Sequence, residues 1–350
     1  CEPLTSRSFE VDRVYRFRKG SGLPVRIPVI EMVEIGAGGG SIAQVDKLRR
    51  IQVGPESAGS EPGPACYGRG GSRPAVTDAD VRLGRVWPGT FAGGAFQLDI
   101  PAAEGALQAG VADPLGLDLD TAAFGISEVV DENMAAAARA HAAEFGLDLG
   151  SRDMIAFGGA APLHAVRLGE KLGVRRIIVP TAAGVGSAVG FLLAPVAYEV
   201  VRSRRQTLSA LNTDLVNRVM DEMRAEALAV VRMGAPGRVA AGRITETRQA
   251  YMRYSGQGHE IPVDLPPGPY AGNHADEFRA RFEDAYRRLY GRTIDGVEIE
   301  VLSWTLTVSA ARAQAREAAA EAAPADAPVA RPAASQPLFD PAGGQAVPAA

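Results

Sequence analysis

The chain of 350 residues carries 37 Lys+Arg against 41 Asp+Glu, a formal charge of −4, with 46% hydrophobic and 22% charged residues. That is the profile of a soluble globular protein, and at roughly 100 to 200 residues per domain it predicts about two domains. The balance lacks the positive excess that holds a phosphate backbone, which argues against nucleic acid as a partner, and Cys1 and Cys66 alone make no disulfide scaffold. The most apolar stretch, 185–198, is too short to span a bilayer and contains Pro195, so no membrane partner is expected. With no signal peptide in view, the expected compartment is the cytoplasm.

The chain opens at Cys1 and enters strand-like sequence almost at once, which predicts a fragment of a longer polypeptide. Residues 9–17 and 25–35 alternate or run apolar as strands do, and Gly and Pro crowd 36–76, predicting loop and short strand. Thr77-Asp78-Ala79-Asp80 offers an N-cap with acidic residues in the first turn, so a helix is expected over VRLGRV, 81–86. Apolar residues at Ala122, Ile126, Val129, Val130, Met134 and Ala137 keep close to a 3.6 spacing and predict a long half-buried helix over 119–144.

Next come a strand at 154–157, a Gly158-Gly159-Ala160-Ala161 turn, a helix opening at Pro162 and a strand at 176–179. This order predicts an α/β layer with a parallel sheet. A second glycine loop at Gly184 and Gly186 leads to a short apolar helix ending at Leu193 and a strand at 196–202. From about Thr207 the pattern changes to a helix (214–233), strands near 243–254 and 260–263, a helix (275–290) and a strand (297–308), an α+β domain. The Ala, Pro and Glu of 311–334 read as a linker or frayed helix, and Pro337–Pro341 as the start of a further element cut short. The expected division is 1–206, 207–310 and 311–350.

The GAGGGS run, Gly36–Ser41, follows a predicted strand, and without Cβ atoms its backbone can approach an anion closely. It matches neither a P-loop nor a Rossmann fingerprint, so a ligand loop and a tight structural turn both stay open. Gly158-Gly159 sits where a strand hands over to a helix, the position at which open α/β sheets bind ligands, and Pro162 suits a helix start whose dipole favours an anion. Close helix-to-sheet packing is the alternative. His141, His164, His259 and His274 show no zinc spacing, and His164 reads as a packed or capping residue. Asp78 and Asp80 are candidate Mg²⁺ ligands beside nucleotide phosphates, although their place in a first helical turn is a sufficient structural reason for them. Cys66 reads as a small buried hydrophobe, and Ser41 sits in no G-x-S-x-G elbow, which disfavours a serine hydrolase.

Together EIGAGGGSIA, VGPESAGSEPGPACYGRGG followed by VTDAD, FGGAAPLHA and YSGQGHEI resemble the hydantoinase A/5-oxoprolinase family over about residues 8–310. The resemblance implies a partial actin-like, sugar-kinase-type α/β ATPase fold with an α+β C-terminal domain. Its nucleotide would lie in a cleft between two related lobes, with ATP and Mg²⁺ as cofactors. It assigns Gly158, Gly159 and Ala160 to the adenosine-contacting turn and Gly38, Gly39, Gly40 and Ser41 to the family's central glycine loop, while Asp78 stays the candidate metal ligand on its own chemistry. Ala161 stands where the family usually has a glycine. The family's D-x-G-G-T phosphate motifs are absent from this sequence, which again implies a fragment, one expected to lack the phosphoryl step.

The resemblance further implies an ATP-dependent amidohydrolase subunit that opens a cyclic amide, working with a hydantoinase B-like partner subunit. The alternatives are a β-type subunit of an acetone or acetophenone carboxylase acting on a ketone, and a non-catalytic partner module.

Overall fold

The computed structural model describes residues 5–6, 9–11, 22–25, 29–30, 32–89, 91–94, 96–310, 335–341 and 343–349. The chain divides into two units, Cys1–Val189 with Pro328–Ala350, and Gly190–Ala327. The expected strands at 9–17 and 25–35 appear as short antiparallel pairs, Thr5–Ser6 with Val29–Ile30 and Phe9–Val11 with Leu23–Val25. Residues 12–17, 26–28 and 31 of those readings, and the whole of 311–334, lie outside the described residues.

In the first unit a hairpin of β1 (Ser41–Val45) and β2 (Ile51–Ser57) is followed by helices α1 (Val76–Arg82), α2 (Ile100–Leu107) and α3 (Leu119–Glu144). The span of α3 is the one its periodicity predicts. Asp118 caps it by accepting the Thr121 N–H at 2.8 Å, and its Ala-rich second half has strong helix propensity. Ala122, Ile126 and Val130 form a buried stripe against Ala43, Val53, Val76, Ala79, Leu83 and Leu107.

Helix α1 departs from the reading. It begins at Val76 with Ala75, not Thr77, at the N-cap position, and ends at Arg82 because Gly84 takes a left-handed φ of 73°. Helix α2 lay in sequence too alanine-rich to show a face.

The strand-turn-helix-strand unit forms as expected: β3 (Asp153–Ile155), α4 (Ala161–Leu172) and β4 (Arg176–Ile178), with β3 and β4 parallel. Gly169 of α4 leaves room for Ile177, which an added Cβ would meet at 2.6 Å. Helix α5 spans Gly186–Leu193. The Pro337–Pro341 run, read as an opening element, forms most of the first strand of a hairpin that packs on this unit.

The second unit is a four-stranded antiparallel sheet of β5 (Val196–Thr207), β6 (Thr245–Tyr254), β7 (Ile261–Asp264) and β8 (Ile299–Ala310), in the order β7-β6-β8-β5. Helices α6 (Thr213–Gly234) and α7 (His274–Tyr290) bury Met220, Met223, Phe278 and Phe282 against Met252, Ile299, Trp304 and Leu306 of the sheet. The sequence-drawn division at 206/207 therefore falls at the end of β5, a strand paired along β8 within the second unit.

The closing hairpin is β9 (Gln336–Asp340) with β10 (Gln345–Ala349). Phe339 donates its N–H to the Leu83 carbonyl at 3.0 Å and stacks near Phe124 at 5.5 Å, and an added Cβ on Gly84 would run into the Pro337 carbonyl. No helix among the described residues is long and apolar enough to cross a membrane.

Candidate functional site

The Gly38–Ser41 run is a turn pinned from three sides. Ser41 donates its N–H to the Gly38 carbonyl at 2.9 Å, and its buried hydroxyl accepts the Gly38 N–H at 3.0 Å. Thr77 at the start of α1 gives both its N–H and its hydroxyl to the Gly39 carbonyl, each at 2.8 Å, and Ala58 donates to Gly40. An added Cβ would meet Thr77 Oγ1 at 2.7 Å from Gly39 and Ser57 Oγ at 2.9 Å from Gly40, so close packing accounts for these two glycines. Gly38 alone of the three faces open space, with nothing within 4 Å of the Cβ it lacks.

The Gly158-Gly159-Ala160 turn is open. Gly158 takes φ 107°, a conformation that favours glycine, and anchors its N–H on the Ala183 carbonyl at 2.8 Å. Neither Gly158 nor Gly159 has a heavy atom within 4 Å of an added Cβ. Pro162 is the second residue of α4. The fold brings the two glycine runs together: a Cβ on Gly39 would stand 3.9 Å from that of Ala160. This geometry fits an anionic ligand lying over bare backbone at a helix start, as a nucleotide phosphate would.

Asp78 is a different case. It has no solvent exposure, and its carboxylate accepts the N–H groups of Cys66 at 2.7 Å, Ala75 at 2.8 Å and Ala65 at 3.2 Å. Three backbone donors take most of the carboxylate's acceptor sites, and its closed interior leaves neither space nor a second ligand for an ion, so the candidate metal role does not fit. No group of three or more His, Cys, Asp or Glu among the described residues could hold a metal. Asp78 instead braces the PGPACYG run against α1. Cys66 inside that brace is fully buried, and burial together with the Asp78 charge pushes its thiol pKa up, as expected of an inert residue.

Sequence reading missed a buried ring of charged side chains beside the two runs. His164, on the first turns of α4 and only 4% exposed, places Nδ1 at 2.8 Å from Asp131 and Nε2 at 3.3 Å from Asp80. Arg85 bonds Asp80 at 3.2 Å and Ser127 at 2.5 Å, and the Ser127 hydroxyl closes the ring on Asp131 at 3.5 Å. Burial opposes a charge on His164, but the hydrogen bonds and charges of Asp131 and Asp80 outweigh it and raise its pKa to about 9. Two cations thus answer two anions in an interior where an unpaired charge is costly. The available signal was on α3, where Ser127 and Asp131 interrupt the buried stripe of Ile126 and Val130.

Two adjoining clefts of about 350 and 340 Å³ lie along the second half of α3. The first reaches Gly36, Ala37 and Asn133, the second Met32, Met134 and His141, and Ile35 and Ala137 line both.

The fold is a mixed α/β one in which two glycine turns lie side by side. Residues 3–200 match the Hydantoinase/oxoprolinase family, and the chain belongs to it. It is 32% identical over 288 residues to the caprolactamase subunit alpha of Pseudomonas jessenii, covering 82% of this chain and 41% of that one. The crystal structure of ATP-dependent caprolactamase from Pseudomonas jessenii overlays with a TM-score of 0.66 at 30% identity, over 95% of this chain and 48% of that chain. A nucleotide-free acetone carboxylase structure, from work on ATP-dependent acetone carboxylation, overlays with a TM-score of 0.71 at 27% identity, over 83% and 42%. The chain thus spans less than half the length of these relatives.

Proposed function

We propose that the chain is the nucleotide-binding part of an ATP-dependent amidohydrolase subunit that opens a lactam or hydantoin ring, on an actin-like ATPase fold and with a hydantoinase B-like partner. The observation that carries this reading is the meeting of Gly39 with Ala160 while Gly38, Gly158 and Gly159 keep open faces. Bare backbone lets a triphosphate approach, and the start of α4 adds the positive end of its dipole. ATP, when bound, supplies a phosphoryl group to the carbonyl oxygen, making a poor electrophile one that water can open. The groove along α3, lined by apolar side chains such as Ile35, Val53 and Met134 together with Asn133, His141 and the backbone of Gly36 and Gly54, suits the ring of a small neutral substrate with a polar edge. No Mg²⁺ step is assigned, because Asp78 does not fit one.

A second reading, activation of a ketone for carboxylation, is favoured by the higher structural overlap with acetone carboxylase and by 37% identity over 222 residues to an acetophenone carboxylase gamma subunit, whereas the longer alignment, 288 residues at 32%, is to the caprolactamase. Calorimetric titration with ATP tests the site. The chain should bind ATP, and Gly159→Val, whose side chain would fill the ligand's approach, should bind at least about tenfold more weakly. Equal affinity in the two, or no binding by either, overturns this placement. Turnover of ATP by the longer polypeptide that restores the D-x-G-G-T motifs, together with its partner, in the presence of a lactam against a ketone then separates the two chemistries.

A further inference from the structure

We infer that His164 is a positioning residue that fixes the separation between the Gly38–Ser41 run and the Gly158–Ala160 turn by bridging Asp80 of α1 and Asp131 of α3. Its importance for nucleotide binding rests on the function proposed above, whereas its grip on the two runs does not.

Thr77 holds the Gly39 carbonyl with two hydrogen bonds, so the first run moves with α1. Asp80 lies one turn further along the same helix. On the other side the Gly158–Ala160 turn leads directly into α4, and His164 is its fourth residue. The His164–Asp80 contact therefore joins the helix that carries one run to the helix that carries the other, and Asp131 anchors both on α3. The rest of α4 is tied to α3 by a separate set of half-exposed pairs, Arg167 with Glu128 and Lys171 with Glu128 and Glu132. Those pairs hold α4 in place without touching α1.

With both ring nitrogens on carboxylates, His164 needs both of its hydrogens. A neutral imidazole has one N–H and would turn a lone pair toward one buried carboxylate, so the clamp works only as the imidazolium. The charged groups that face it are Asp80 from α1, Arg85 just after α1 and Asp131 from α3. On the strands against which α4 packs, the Asp153–Arg176 pair neutralises itself.

Hydrogen exchange read by mass spectrometry on the whole chain tests this, with His164→Gln and Asp80→Asn. Asp80→Asn keeps the Asp131 contact and nearly the same shape, so it stays informative if His164→Gln fails to fold. Both variants should exchange about tenfold faster in peptides covering 36–41 and 156–163, with β6 and β8 unchanged. Unaltered exchange in the two runs overturns the inference, as does a uniform rise through the first unit, which would make His164 an ordinary core residue. ATP titration of the same proteins separates the two claims. Faster exchange of both runs together with about tenfold weaker ATP binding supports both, and faster exchange with no ATP binding even by the unaltered chain leaves the clamp standing while the nucleotide reading falls.

Discussion

The carboxylate of Asp78 accepts the Cys66 N–H at 2.7 Å, the shortest of the three backbone bonds that make it a brace and not an ion ligand. Asp78→Ala would leave three buried donors without partners, each worth about 1 to 3 kcal/mol. The variant is expected to lose at least about 3 kcal/mol in urea denaturation. Added Mg²⁺ should change neither its midpoint nor that of the unaltered chain, and a Mg²⁺-dependent gain restricted to the unaltered chain would restore the metal role.

Cys66 shares that interior, fully buried and with its thiol held protonated by burial and by Asp78. In a Cys1→Ser background, a chromogenic disulfide reagent at pH 8 should react with Cys66 on the order of a hundredfold more slowly than with the urea-unfolded chain. Comparable rates would place the thiol at the surface.

The His164 pKa of about 9 lies above the ordinary value of 6.5, so the group binds its proton more tightly folded than unfolded. Its contribution is full below pH 6.5 and is lost as pH rises through about 9. Thermal melts should therefore show the first unit weakening between pH 7 and 10 by on the order of a few kcal/mol, with that slope missing in His164→Gln. Parallel pH profiles would refute the assignment.

Glu300 on β8 behaves in the opposite sense. Arg205 at 2.7 Å, Ser255 at 2.8 Å and Arg253 at 3.2 Å hold its carboxylate at a pKa of about 2. That stabilisation is present above about pH 4.5 and disappears as pH falls toward 2. Circular dichroism of Glu300→Gln should show a second unit that is less stable at pH 7 and loses less between pH 5 and 2 than the unaltered one.

Local patterns were readable wherever one stretch of chain carries its own reason. The apolar spacing of α3 between Asp118 and Glu144 marks a helix with no knowledge of its neighbours, and Gly158-Gly159 between a strand and α4 marks a turn. The helices and strands of the second unit alternate with clear changes of period, and they appear within a few residues of where they were expected. Thr77 shows where such reading stops. It has the chemistry of an N-cap, but its hydroxyl is taken by Gly39, far away in sequence.

What the sequence by itself determined is most of the order of elements, the two glycine runs and the family to which they belong, because periodicity and backbone freedom are properties of neighbouring residues. Tertiary structure alone decided that Gly39 meets Ala160, that Asp78 faces inward onto three amides, that Phe339 returns to Phe124, and that His164 lies between Asp80 and Asp131. Each of these depends on how separate elements pack together, and the His164 and Phe339 contacts join segments distant along the chain. A carboxylate reads the same in sequence whether folding gives it water, a metal or a ring of buried donors.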